Sequence, residues 1–363
     1  MALDRKQLIE LARATAKASL NPSASFAFED KNLTFTALND TFREELNALA
    51  GTYADYRDNQ NLIFKLIEVS LDEILPPRIL QEYGQFADVQ QFAQGDRPIF
   101  KIRVTEASRK RAKSNFVTRV GLAGRYEVFK LDGASLEVKT SAWGGAAQIG
   151  FEEFLDGRIT MSDVYDIVLE GMEEAVYKQI AAALATLSAT IGAVRPNNIS
   201  NQTDFDEDEM DRLIATADVY GKASIYCTFE FAARMIPVDR WASNEMKQER
   251  WDNGYFTRYK NHNVIVLPQS FEDETNAQKV VDPSYAYIIP TGAEKPIKIA
   301  FEGQTAVRET GFKGNEDWSQ EIQTYRKFGV ALFAAGLNPG ICVYHNSALT
   351  KSNAETDQTY PTH

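Results

Sequence analysis

The sequence predicts an α+β fold built from several distinct parts, and three observations carry that expectation. Apolar residues recur at helical spacing through most of the first hundred residues. The pattern then switches to strand-like alternation after Pro98, and a helical face of unusual length follows Ser162 before helices and strands begin to alternate. The 363 residues, 44% apolar and 25% charged, hold enough material for a large core and do not read as disordered or fibrous.

Residues 4–19 place Leu8, Ile9, Leu11, Ala12 and Ala16 on one helical face, and residues 36–50 repeat the pattern through Leu38, Phe42, Leu46 and Leu49. A third helix is expected over 59–74, with Leu62, Ile63, Leu66, Ile67, Val69 and Leu71, stopped by Pro76 and Pro77. Polar linkers separate these helices, a layout that suits an extended arm better than a compact domain.

From residue 99 the period becomes two. Ile99-Phe-Lys-Ile-Arg-Val104 alternates apolar and basic residues, and further strands are expected at 116–120, 126–131 and 135–140, with Asp132-Gly133 turning the last pair into a hairpin. Trp143-Gly-Gly-Ala-Ala147 is read as the end of this excursion. A long hairpin with so few bulky residues has little core of its own, so something else must cover it.

The longest helix signal comes next. With Ser162 as N-cap, the positions Val164, Ile167, Val168, Gly171, Ala175, Ile180, Ala183, Leu184 and Leu187 mark a face that runs to about Ile191. At 1.5 Å per residue such a helix is about 45 Å long. After it, a helix over 206–217, a strand over 223–228, a helix over 229–235 and strands near 263–267, 285–289 and 297–301 predict an α/β region. Strands return over 318–333 and at Ile341-Cys-Val-Tyr344.

Several function classes lack their residues. Cys227 and Cys342 lie in apolar strand-like settings and read as buried free thiols, and the three histidines are scattered, so no Cys/His metal spacing exists. The acid run 204–211 puts Glu209 and Ala215 where a calcium loop needs Gly and Glu, and reads instead as carboxylates at a helix N-terminus. No phosphate-binding glycine loop or nucleophile elbow is present. Neither 179–194 nor 328–350 makes an uninterrupted apolar span, so no membrane helix is expected, and with no apolar run behind the first basic residues no secretory signal is expected either.

Charge distribution says more. Residues 97–130 carry ten Lys and Arg against two acids, a net of +8 within a chain of net −12, whereas residues 152–178 carry eight acids against two bases. A basic hairpin followed by an acidic helix suits a contact between copies, the hairpin of one lying over the helix of the next, a heterologous interface that builds rings or lattices. A solvated basic loop and a nucleic-acid patch remain open alternatives at this level.

The order of parts resembles the tailed-bacteriophage major capsid protein of the Hong Kong 97-type fold. Arg119-Val-Gly-Leu-Ala-Gly-Arg-Tyr-Glu-Val-Phe-Lys130 resembles the extended E-loop, 161–187 the spine helix of the peripheral P-domain, 285–302 the segment leaving the axial A-domain, and 318–344 the closing P-domain strands. The division this implies is a helical N-terminal arm over 1–97, the E-loop hairpin region over 98–150, the spine helix over 151–202, the A-domain over 203–300, returning P-domain strands over 301–350 and a tail over 351–363.

The resemblance implies a structural shell subunit rather than an enzyme, with no catalytic, cofactor or metal site. Many copies would assemble as pentamers and hexamers into an icosahedral head around double-stranded DNA held without sequence-specific binding. The implied partners are portal, scaffolding and decoration proteins, with no membrane; the place is the virion, assembled in the host bacterial cytoplasm. Arg119, Arg125 and Lys130 are the expected E-loop contacts, facing Glu170, Glu173 and Glu174 of an adjacent copy. Some family members join subunits through a Lys–Asn bond; Lys130 and Lys139 lie in the hairpin region, but no segment assigns an Asn acceptor, and no crosslink is expected. An encapsulin-type compartment shares this fold and is the alternative shell, while an acidic α/β enzyme would need a convergent polar pocket for which no motif exists.

Overall fold

The computed structural model describes residues 4–24, 26–28, 31–102, 134–149, 160–235, 248, 251–291, 294–310, 320–333 and 338–352. In chain order the elements begin with α1 (Arg5–Leu20), β1 (Phe26–Phe28), β2 (Lys31–Leu33), α2 (Phe35–Leu49) and α3 (Tyr53–Tyr83). Next come β3 (Ala87–Phe92), β4 (Ile99–Ile102), β5 (Ala134–Glu137), β6 (Ser141–Ile149) and the long helix α4 (Met161–Val194). The remainder is β7 (Ile199–Gln202), α5 (Glu207–Asp218), β8 (Ala223–Cys227), α6 (Phe229–Arg234), β9 (Arg258–Tyr259), β10 (His262–Val266), β11 (Tyr285–Pro290), β12 (Ile297–Thr310), β13 (Gln320–Leu332) and β14 (Cys342–Asn346). The chain forms two compact units, one from 1–99, 137–179 and 298–331, the other from 100–136, 180–297 and 332–363.

In the first unit the N-terminal helices do not trail as an arm with little packing of its own. Leu8, Leu11 and Ala12 of α1, Leu38, Phe42 and Leu46 of α2, and Ile63, Leu66, Ile67 and Leu71 of α3 close into one buried cluster with Met161, Val164, Tyr165 and Val168 of α4. Phe42 meets Tyr165 edge to face at 5.6 Å. The polar linkers between the helices are short capped turns: Asp4 and Gln7 form a reciprocal capping box, and Thr34 and Thr52 accept from Ala37 N and Asp55 N. Stripes that are separate in sequence thus find each other because each needs an apolar partner.

Helix α3 also runs through Pro76 and Pro77, where the sequence predicts a stop. The lost intrahelical hydrogen bonds are outweighed by burial of Ile74, Leu75, Ile79 and Tyr83, and the turn before the prolines is clamped from outside. Arg326 of β13, only 3% exposed, donates to Asp72 Oδ1 (2.7 Å), Leu71 O (3.3 Å) and Thr305 Oγ1 (2.9 Å), with its guanidinium 5.0 Å from the Phe301 ring centroid. Asp72 in turn accepts from Thr305 N and Thr305 Oγ1. Burial pulls the Arg326 guanidinium below its usual pKa, and Asp72 opposes that pull.

The sheet of this unit has the order β3-β12-β13-β6. The glycine-rich run 143–147, read from sequence as the end of the hairpin, is instead the centre of β6, which pairs antiparallel with β13 from Ser141↔Phe328 to Ile149↔Gln320. Trp143 stacks on Phe328 at 5.3 Å, and a Cβ at position 144 would sit 2.5 Å from the Thr324 carbonyl oxygen, so glycine is what lets the strands approach. Glu302, buried on β12, accepts from Thr140 Oγ1, Gly95 N (3.1 Å) and Lys327 (3.2 Å), and these bonds, that of Thr140 foremost, hold its carboxyl below the usual range.

The second unit is a six-stranded mixed sheet, β7-β14-β11-β8-β10-β9. Its core gathers Met210, Leu213 and Ile214 of α5 with Ile225, Cys227, Phe231, Ile288 and Tyr344. The acid run behaves as the sequence predicts: Asp206 caps α5, accepting from Asp208 N and Glu209 N. Strand β14, expected among the strands that return over 301–350, lies between β7 and β11, with Ile288↔Cys342 in register. All but one of its residues are buried, which a central strand of a covered sheet accommodates. Expected strands at 116–120 and 126–131 fall outside the described residues, and the one expected at 135–140 is shortened to β5.

Two stability outcomes follow from this packing. Asp72→Asn or Arg326→Met alone is expected to cost about 3–5 kcal/mol by stranding a buried charge, and the double variant less than their sum, read from denaturant midpoints. Gly340→Ala is expected to destabilise by about 1–3 kcal/mol, because its Cβ would lie 2.6–2.9 Å from the root of the Tyr220 ring.

Candidate intersubunit interface

Helix α4 starts two residues earlier than expected. Thr160, not Ser162, caps it: Thr160 N and Oγ1 donate to Asp163 Oδ2 at 2.8 and 2.6 Å, holding the Asp163 carboxyl below its usual range. Ser162 is instead engaged by Asn47 of α2, its amide donating to Asn47 Oδ1 and its hydroxyl accepting from Asn47 Nδ2.

The acids along α4 fall into two groups. On the side facing the other helices, Asp166 is bound by Arg43 of α2 at 2.8 Å and Glu173 by Arg78 of α3 at 2.7 Å. Arg78 also lies 3.8 Å from Glu82, so one guanidinium serves two carboxylates. Burial raises the pKa of both Glu82 and Glu173, Arg78 lowering each in part. On the outer side, Ile167, Glu170, Gly171 and Glu174 are exposed at spacings of three and four residues, which makes one continuous stripe. Glu174 pairs with Lys178 one turn along, at 2.7 Å.

Of the six residues expected at the contact, Arg119, Arg125 and Lys130 lie outside the described residues. The three acids share a helix but not an environment: Glu170 and Glu174 are open to solvent, whereas Glu173 is half-buried and already paired within the chain. Ile167 and Gly171, placed by periodicity on the buried face, are in fact exposed, Ile167 to 60%. They border a groove of about 220 Å³ whose other wall is Trp143, Gly144, Gly145, Ala146 and Thr324. A Cβ at Gly171 would touch nothing within 4 Å, so that side is open. The sequence signal for this groove was the uncharged run 140–151 together with small residues at 171 and 175.

Nothing in this arrangement is poised for covalent chemistry. Burial pushes the Cys227 and Cys342 thiols up to about 12, so neither supplies a thiolate at neutral pH. Among the described residues no group of three metal-ligating side chains converges, and no helix is long and apolar enough to cross a membrane. What the site offers is an exposed acidic stripe beside a shallow apolar groove, the furniture of a macromolecular contact.

The sequence profile of the SPbeta prophage-derived putative capsid protein YonB matches residues 10–336. No curated protein matches the chain. Among solved structures, the capsid of cyanophage P-SCSP1u is similar over 73% of this chain and 86% of that one, at 9% identity and a TM-score of 0.47. The head structure of Helicobacter pylori bacteriophage KHP40 is similar over 73% and 90%, at 14% identity and 0.45. A virus-like particle from Pyrococcus furiosus is similar over 75% and 97%, at 10% identity and 0.39. The order of parts described above, N-terminal helices, long helix, α/β unit and returning strands, is the order that the Hong Kong 97-type fold implies. With its family profile matched over most of its length, the chain belongs to the YonB family of prophage-derived capsid proteins and is a structural phage major capsid protein, a component of the virion shell.

Proposed function

We propose that copies of this chain assemble as pentamers and hexamers into an icosahedral head that encloses double-stranded DNA, in the host bacterial cytoplasm and together with portal, scaffolding and decoration proteins. Within that head, Arg119, Arg125 and Lys130 of one copy lie against the acidic stripe of α4 on the next. The parts keep the roles expected from sequence: 98–150 as E-loop region, 151–202 as spine, and 203–300 as A-domain. The observation that carries the contact is the outward stripe of Glu170 and Glu174, exposed beside a groove and opposite in sign to a segment of net +8. Glu173, held by Arg78, acts chiefly inside its own chain and contributes to the outer field at longer range.

The energetics suit a lattice. An exposed ion pair contributes about 0.2–1 kcal/mol, too little to fix a dimer, but the same contact repeated around a closed shell is multivalent. Weak single contacts also let misplaced subunits leave. The overall acidic balance, −12 per chain, keeps the shell from adhering to the DNA it encloses.

The test is to express the full chain and measure mass by light scattering, with electron micrographs of any heavy fraction, alone and with its neighbouring scaffold. Megadalton particles are expected; a chain that stays at 40.7 kDa even with its scaffold overturns the reading. Glu170→Lys combined with Glu174→Lys is expected to cut particle yield about tenfold at low salt and to lose the salt dependence of assembly. Glu173→Gln is expected to leave that salt dependence in place and to lower the thermal midpoint of the subunit slightly instead, because it removes the charged pair with Arg78 that ties α4 to α3.

A further inference from the structure

The segment that carries the ten bases of 97–130 leaves and rejoins the first unit at two feet, Gly95 before β4 and Thr140 before β6. The feet are distant in sequence and meet at one side chain. Glu302 of β12, 6% exposed, accepts from Gly95 N at Oε1 (3.1 Å) and from Thr140 Oγ1 at Oε2, while Lys327 of the adjoining strand β13 donates to Oε1 (3.2 Å). Each carboxylate oxygen is thus committed to one foot, and the charge on the acceptor strengthens both bonds. The backbone of both strands makes room for this approach. Gly303, next in the chain to Glu302 and at φ +72°, would place a Cβ 3.3 Å from Gln94 Cβ, and a Cβ at Gly329 would lie 2.3 Å from the Lys139 carbonyl oxygen. A side chain at either position would push a foot off the sheet. The feet are also tied to each other, Val138 N donating to Pro98 O at 2.9 Å.

We propose that Glu302 is a positioning residue for assembly: its carboxylate holds both feet at once and so fixes the direction in which the intervening segment leaves the subunit. This rests on the shell reading above and goes beyond it, assigning to a buried residue of the sheet the orientation of a contact made elsewhere. A buried ionic contact adds little to stability over a well-packed apolar replacement, which leaves orientation as what this one contributes. Lys327, its side chain 36% exposed, supplies the counter-charge from the strand next door. Two oriented oxygens, each with its own foot, restrain a direction where a single apolar contact would let the feet slide. An angular error at the feet grows with distance along the segment, so loosening one foot costs assembly far more than it costs the fold.

Substitutions at Thr140 separate orientation from packing. Thr140→Val keeps the shape and loses the donor, whereas Thr140→Ser keeps the donor and loses a methyl group. Thr140→Val is expected to lower the particle yield of the full chain, assembled with its scaffold, by about tenfold, and Thr140→Ser to restore most of it. Ile63→Val, a core truncation among the N-terminal helices, is the control: it and Thr140→Val are both expected to lower the thermal midpoint by a few degrees, and only Thr140→Val to lower the yield. A Thr140→Val yield equal to wild type, a Thr140→Ser yield as low as that of Thr140→Val, or an equal loss in Ile63→Val overturns the inference and leaves the shell reading intact. A wild-type chain that forms no particles overturns the shell reading and the inference with it. Hydrogen exchange on free wild-type subunits gives an arm that needs neither assembly nor a variant. Gly95 is exposed yet its amide is bonded to Glu302, so that amide is expected to exchange about tenfold or more below the rate of an unstructured chain. Exchange at the unstructured rate overturns the inference.

Discussion

The first unit depends on the buried cation Arg326. Arg326 lies on β13 with almost no exposure, and a guanidinium in that position is tolerable only if every available acceptor is turned toward it. Asp72, the Leu71 carbonyl and the Thr305 hydroxyl all accept from one of its terminal nitrogens, while Nε is buried without a partner, and the three acceptors become fixed points. The Leu71–Asp72 turn holds α3 straight enough to carry two prolines, and Thr305 holds β12 in its place beside β13. Once α3 is fixed, its apolar stripe sets where α1 and α2 close, and Arg78 is delivered to Glu173 of α4. A chain of otherwise modest contacts is thereby referred to one buried polar cluster, which is how buried polar groups help to specify structure.

The same division of labour runs along α4. Its inward acids are consumed by Arg43 and Arg78, where partial burial strengthens each pair and couples the helix to its own chain. Its outward acids are left in solvent, where each is weak alone and responsive to salt. A shell subunit needs both behaviours, because the subunit must survive as a folded body while its contacts with neighbours stay reversible during assembly. Placing the two sets of acids on adjoining stripes of one helix, Asp166 and Glu173 inward and Glu170 and Glu174 outward, achieves this within the nine positions from 166 to 174.

Much of the molecule was legible from local pattern. Asp206 as a cap, the helices of the α/β unit, the buried thiols and the existence of α4 all follow from short-range rules: a carboxylate before an apolar stripe, a period of 3.6, a cysteine among β-branched residues. Three features were not legible. Pro76-Pro77 looked like a stop because the clamp from Arg326 is about 250 residues away in sequence. Trp143-Gly-Gly-Ala looked like a loop because its strand character is conferred by β13 and by the Trp143–Phe328 stack. Ile167 and Gly171 looked buried because periodicity says which residues share a face, and not whether anything covers it.

The sequence by itself therefore determined the α+β class, the family resemblance, the long acidic helix and the opposition between a basic segment and that helix, since composition, period and charge are properties of neighbours along the chain. Tertiary structure decided which acids are spent internally, where β14 is inserted, that the N-terminal helices close into a core, and that the run 141–149 pairs with β13 as a strand. Those outcomes turn on which distant surfaces meet and on how completely each buried polar group is satisfied, and neither quantity is encoded in any window of adjacent residues.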